Sequence, residues 1–297
     1  MKTLFAVLLA ALFVSQASAQ VTVELALDQD QFLPSETLPL AVKITNRSGQ
    51  QLHLGEDPAW LTFNVESTDG FVIIKNGEVP VVGPFDLESS QMAIKRVDLQ
   101  PYFQMTRQGH YRVTATLRIR DWSAQVVSAP KMFDIINGAK LWAQDFGVPN
   151  GTNRPPEARR YTLEQANYLA EQLRLYVQVS DPSEAVIYKV NALGPMVSFS
   201  HTEAQVDRFS RLKVLWQTGA QTFSYSVVNP DGSVAEQQTY DNFTSRPRLV
   251  LNGDGDVVVL GGTRRLKPSE YPVVKSPDEL PPPKANVTAP PAPAKQK

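Results

Sequence analysis

Apolar and polar residues alternate with a period of two along most of this chain, and that alternation predicts β-strands. Val21, Val23, Leu25 and Leu27 share one face of a first strand. Leu38, Leu40, Val42 and Ile44 do the same in a second, which the turn Asn46-Arg-Ser-Gly49 closes. Leu61, Phe63 and Val65 mark a third, ended by Thr68-Asp-Gly70. The longest runs from Tyr111 to Arg120: Tyr111, Val113, Ala115, Leu117 and Ile119 face inward, and Arg112, Thr114, Thr116, Arg118 and Arg120 face out. Alternation this regular requires a sheet with one wet face. A last strand near Met132 to Ile136 brings the expected count to about seven, that of a two-sheet sandwich.

The back half continues as a meander. Strands are predicted over 173–179, 185–190, 197–200, 212–217, 223–228, 233–240, 249–251 and 257–260. Turns such as Asp181-Pro-Ser and Asn229-Pro-Asp-Gly232 separate them, as consecutive antiparallel hairpins require. Thr162 to Arg174 admits two readings. Thr162 with Gln165 forms a capping box, and Leu163, Ala166, Leu169, Ala170 and Leu173 fit a helical face. The strand-like runs on either side favour two strands with an irregular crossing.

The predicted fold class is therefore all-β. An immunoglobulin-like sandwich spans 20–138, a connector with Leu141, Trp142 and Phe146 spans 139–160, and a second, antiparallel β-meander domain spans 161–264. Residues 265–297 are expected to be a disordered tail. From Lys267 on it holds 9 of the 23 prolines and five lysines against three acidic residues, which cannot build a core.

Two local resemblances accompany this pattern. Gly109-His-Tyr111-Arg-Val-Thr-Ala looks like the entry to the penultimate strand of immunoglobulin-like and fibronectin-like sandwiches. The resemblance implies a corner tyrosine bonded back to the main chain. The opening, with Glu36 before Leu38-Pro-Leu40 and then Asn46-Arg-Ser-Gly49, is similar to bacterial Ig-like domains that present surfaces or inhibit proteases. In the second half, Leu212-Lys-Val-Leu-Trp216 followed by a hairpin at Asp231-Gly232 looks like a propeller blade of sialidase-like and WD-type repeats. About nine short strands make at most two blades, and a closed propeller takes four or more, so a compact meander is expected instead.

The N-terminus changes the picture of where the protein works. Lys2, an apolar run of 11 residues from Leu4 to Val14, and Ser15-Gln-Ala17-Ser-Ala19 have the form of a secretory signal peptide spanning 1–19, with cleavage expected after Ala19. The run is too short to span a bilayer, and no later one approaches 18 residues, so no transmembrane segment is expected in the mature chain. The chain has no cysteine, which excludes disulfides, thiol catalysis, Cys-based metal sites and an acyl-cysteine anchor. A secreted or periplasmic location follows as the expectation. The net charge of −1, with both signs scattered, offers no field for nucleic acid.

Candidate chemistry is sparse. His53, His110 and His201 lack metal-ligand spacing, and His201 with Glu203 and Asp207 forms the one His–carboxylate cluster, read as a charged loop. No nucleophile elbow, P-loop or dinucleotide fingerprint appears. Asn252-Gly-Asp254-Gly-Asp256 resembles the start of a calcium loop, but Val257 stands where glycine is needed and no glutamate follows at the twelfth place, so a tight hairpin is expected. Four sequons, at Asn46, Asn150, Asn242 and Asn286, matter only in a glycosylating host.

Trp60 and Trp122 remain as candidate partner-binding aromatics. No catalytic residue, metal or cofactor is assigned. The expected function is a secreted, non-catalytic binding or structural protein whose partner is a protein or a glycan. The alternatives are a protease inhibitor acting through the loop Gly70 to Gly83, and a glycan-binding or glycan-cleaving β protein with scattered carboxylates.

Overall fold

The computed structural model describes residues 20–149, 156–169, 172–266 and 270. The expected signal peptide, and the expected tail beyond 266 apart from residue 270, lie outside them.

Strands β1 (Val21–Leu27), β2 (Gln31–Phe32), β3 (Pro39–Asn46), β4 (Leu52–Leu54), β5 (Leu61–Ser67), β6 (Phe85–Leu87), β7 (Met92–Asp98), β8 (Gly109–Ile119), β9 (Ala124–Val127) and β10 (Lys131–Ile135) build the first module. One sheet runs β1-β3-β7 and the other β2-β10-β8-β5, with β9 paired to β8. Their inner faces share one core: Val42 and Ile44 from one side meet Val113, Ala115 and Leu117 from the other. The alternation read along 111–120 is the alternation observed, buried at every odd position of 111–119. Strand β7 escapes a sequence reading because its inward positions are only half-buried. The Tyr111 hydroxyl donates to the Arg107 carbonyl at 2.5 Å, the main-chain bond implied by the corner-tyrosine resemblance.

The second module begins earlier than its pattern suggests. Strands β11 (Ala139–Val148), β12 (Glu157–Leu169), β13 (Gln172–Ser180) and β14 (Ile187–Pro195) form a four-stranded antiparallel meander. The stretch 139–148, read as a connector, is thus an outer strand. A register shift between Lys140 and Trp142 and the exposure of most of its side chains erase the period-two signal. The ambiguous run at 162–174 is strand on both sides of residues 170–171, and β12 pairs with β13 across it.

Strands β15 (Glu203–Val206), β16 (Leu212–Gln217), β17 (Thr222–Val228) and β18 (Val234–Asp241) make a second meander, to which β21 (Thr263–Arg264) adds. Strands β19 (Arg248–Leu251) and β20 (Val257–Leu260) form a separate hairpin. Strand β16 is covered on both faces. Leu212, Val214 and Trp216 pack on the β11–β14 sheet, with Trp216 donating to the Pro195 carbonyl at 3.0 Å. Leu215 on its other face joins Phe223, Tyr225 and Val227 under Leu249 and Val259 of the hairpin. The likeness to a propeller blade ends here: β19 and β20 cover the meander instead of starting a second blade.

The modules touch. Leu33 packs with Ala166, Tyr176 and Val190, and Glu36 bridges to Val190. Arg265, assigned to the tail, is fixed by its main chain to Thr239 and by its guanidinium to Asp241.

Candidate functional site

Three segments that are distant in the chain meet beside the β19–β20 hairpin. They are the entry to β15 (His201, Glu203), the approach to β19 (Ser245, Arg246, Arg248), and the end of β20 (Leu260, Gly261). They line a groove of about 780 Å³, a size common for small-molecule and oligomer sites.

The local fold sets these side chains. The carboxylate of Glu203 accepts from the Leu249 main-chain N–H at 2.7 Å, tying β15 to the start of β19. Gly262 N–H donates to the Ser245 carbonyl at 2.9 Å, which pins the approach segment against the turn that follows β20. That turn needs glycine twice. Gly261 and Gly262 have φ of +80° and +66°, and a Cβ on Gly261 would stand 2.8 Å from the Arg246 carbonyl oxygen. Pro247 is buried, while Arg246 and Arg248 on either side of it are exposed. A residue before proline is held extended, and both arginines of the Arg-Pro-Arg step line the groove.

The electrostatics follow from what these groups lack. Arg112, Arg118, Arg120, Arg159, Arg160, Arg211, Arg264 and Arg265 are all ion-paired. Arg246 and Arg248 form no ion pair among the described residues, and neither do Arg47, Arg96, Arg107, Arg174 and Arg208, but only these two line the groove. Arg246 lies over the Phe223 ring, 5.5 Å from its centroid, which leaves its N–H groups free of any carboxylate.

The structure divides the His201–Glu203–Asp207 cluster. His201 and Glu203 line the groove, whereas Asp207 is buried elsewhere. Asp207 accepts from the N–H groups of Phe209 and Arg211, both at 2.9 Å, and from the Arg211 side chain at 2.8 Å. No group of three His, Asp or Glu residues fit for a metal ion forms among the described residues. The calcium-like run is a hairpin turn: Asn252 Oδ1 accepts from Asp254 N and Asp256 N. The Lys213 ammonium sits 3.0 Å from Asp256 Oδ1 and holds that carboxyl below its ordinary value. The Asp256 carboxylate is thus already engaged by an ammonium group of the chain.

One of the two aromatic candidates needs correction. Trp60 is 2% exposed, donates to the Val81 carbonyl at 2.8 Å, and meets the Phe85 ring edge-on. Trp122 is half-buried against the same core. Trp60 therefore anchors the first module and has no face to offer a partner, whereas Trp122 keeps part of its surface open. His53 and His110 are exposed and hydrogen-bonded to Asp86 and Asp134, which raises the pKa of each ring. The sequon at Asn46 is closed, because its amide is buried and donates to Gln50 and Leu87 carbonyls.

No family model matches the chain, and no curated protein does. Among solved structures, the crystal structure of Spo0M, a sporulation control protein from Bacillus subtilis, is similar with a TM-score of 0.31 and 10% identity. The likeness covers 57% of this chain and 83% of that one. It is too slight to bear on the site.

Sequence reading missed Ser245, Arg246 and Arg248. The only signal was the Arg-Pro-Arg step itself, and nothing local says that these arginines come to line a groove.

Proposed function

We propose that this protein is an exported, non-catalytic binding protein of the cell envelope or extracellular space, and that it engages its partner through the Arg246–Arg248 groove. The leader-like N-terminus supports export. The groove supports binding: it is built by three pinned segments, and two exposed arginines line it without an ion pair among the described residues, while its one carboxylate, Glu203, is taken up by the Leu249 main-chain N–H. Rigid presentation of such groups lowers the ordering cost of association. Incubating the purified mature chain with an envelope fraction and sedimenting it tests the reading. The wild type should be retained and the Arg246→Glu/Arg248→Glu variant released. Equal retention of the two would end it.

A second reading, inhibition of an extracellular protease, is favoured by one observation on the first module. The segment 71–84 buries Val79 and Val81 in the core and displays Val72 at 90% and Val82 at 83% exposure. A loop anchored inside and apolar outside suits insertion into a protease cleft. Stable complex formation that is lost when the loop is cut would support this reading over the first.

A further inference from the structure

We infer that the groove takes an acidic glycan, and that Arg246 and Arg248 each bind an oxoanion, carboxylate or phosphate, borne by its sugars. This rests on the proposal that the groove is the binding site, and adds the chemistry of the occupant.

Three observations carry it. First, guanidinium groups match planar or tetrahedral oxoanions through paired N–H bonds. Here two of them, without ion pairs among the described residues, project from positions two residues apart in an extended segment, with Cα atoms roughly 7 Å apart. That spacing suits a polymer carrying repeated charges better than a single ion. Second, the remaining lining is mixed. Ser245 and His201 offer further polar contacts, the Glu203 carboxylate is engaged by the Leu249 N–H, and Leu260 gives an apolar surface at 52% exposure. A sugar ring presents both characters at once.

Third, an exposed aromatic residue precedes two of the lining segments in the chain. Phe243 lies two residues before Ser245 and is 69% exposed. Phe199 lies two residues before His201 and is fully exposed, with φ of +60°. A left-handed phenylalanine is a strained one. Its turn is held closed by Ser200, whose N–H and hydroxyl both donate to the Val197 carbonyl. Exposed rings two residues from the lining segments suit the C–H faces of sugars. The overall charge of −1 argues against a nucleic acid, whose binding depends on many phosphate contacts.

The test uses the intact mature protein in calorimetric titrations with four probes of similar length. They are an oligogalacturonate, its methyl ester, a phosphorylated oligomannoside and oligoglutamate. Binding of the oligogalacturonate or of the phosphorylated oligomannoside is expected, and which of the two binds tells carboxylate from phosphate. The neutral ester should bind at least tenfold more weakly. Arg246→Gln and Arg248→Gln should each weaken the acidic glycan about tenfold. Arg96→Gln, on the first module, should leave it unchanged. The groove variants should keep the wild-type thermal midpoint, because their side chains are exposed.

Three results would overturn the inference: no acidic glycan binds, the groove variants bind as the wild type does, or oligoglutamate binds as tightly. Loss of envelope retention in the Arg246→Glu/Arg248→Glu variant without any acidic-glycan binding would sink this inference alone and leave the groove as the binding site.

Discussion

Arg174 donates to the side-chain oxygen of Gln29 at 3.0 Å, across 145 positions of chain and from the second module to the first. The Gln29 amide donates onward to Glu36 at 2.8 Å, and the Leu33 N–H donates to the other carboxyl oxygen of Glu36 at 2.8 Å. Arg174 also stacks over the Tyr168 ring, 3.9 Å from its centroid. A polar relay thus lies inside the contact between the modules, beside the apolar packing of Leu33 on Tyr176 and Val190.

Burial pushes the Glu36 carboxyl up from 4.5 to about 7, against its two hydrogen bonds and the charge of Arg174, which pull it down. Between those two values the folded chain holds a proton that the unfolded chain has released. This stabilising contribution is complete below about 4.5 and is lost as the pH rises through about 7. Its size is about 3 kcal/mol. Urea unfolding of the wild type at pH 5 and pH 8 should show this loss, and Glu36→Gln should flatten the difference. An equal pH slope in the two proteins would show that Glu36 does not carry it.

Tyr111→Phe removes the hydroxyl that closes the corner onto the Arg107 carbonyl and leaves the ring stacked on Phe133, 5.6 Å between centroids. We expect a loss of about 1 kcal/mol in unfolding free energy. Envelope retention should not change, because the groove lies in the other module.

Trp60→Ala should cost about 3–5 kcal/mol, as expected for a large aromatic removed from a core. It also leaves the Val81 carbonyl without its donor. A variant that kept its stability and lost partner binding would restore Trp60 as a contact residue. Circular dichroism melting together with the retention assay reads both.

Lys213 is buried between two carboxylates, 3.0 Å from Asp256 and 3.8 Å from Asp207, and also donates to the Val257 carbonyl. Replacing it by Met leaves buried acceptors uncompensated and should destabilise the fold by about 3 kcal/mol. Because its ammonium occupies the turn of β19–β20, millimolar calcium should leave the thermal midpoint of the wild type unmoved. A calcium-dependent rise would show that the turn binds the metal after all.

Much of the fold was legible along the chain, for a reason tied to particular strands. Val113, Ala115 and Leu117 alternate with Arg112, Thr114 and Thr116 because β8 has one buried face, and such a strand writes its orientation into its own composition. Strand β16 already shows the limit. Leu212 to Trp216 is buried on both faces, so its run reads as apolar without saying that a sheet lies on one side and a hairpin on the other. Strand β11 shows the opposite limit, since an outer strand with a register shift and few buried residues leaves almost no pattern.

The sequence by itself determined that this is an all-β chain and where most of its strands run, and a resemblance to sandwich domains implied the corner at Tyr111. Each of these depends on neighbours within a few residues, and period-two burial or turn chemistry records them directly. Only the tertiary structure decided that Trp60 is inside, that Asp207 parts from His201 and Glu203, and that Arg246 and Arg248 stand in a groove without ion pairs. Those facts depend on which distant segments come to lie side by side. Pairing and burial are properties of the space between elements, and a guanidinium looks the same in the sequence whether or not a carboxylate waits for it in the fold.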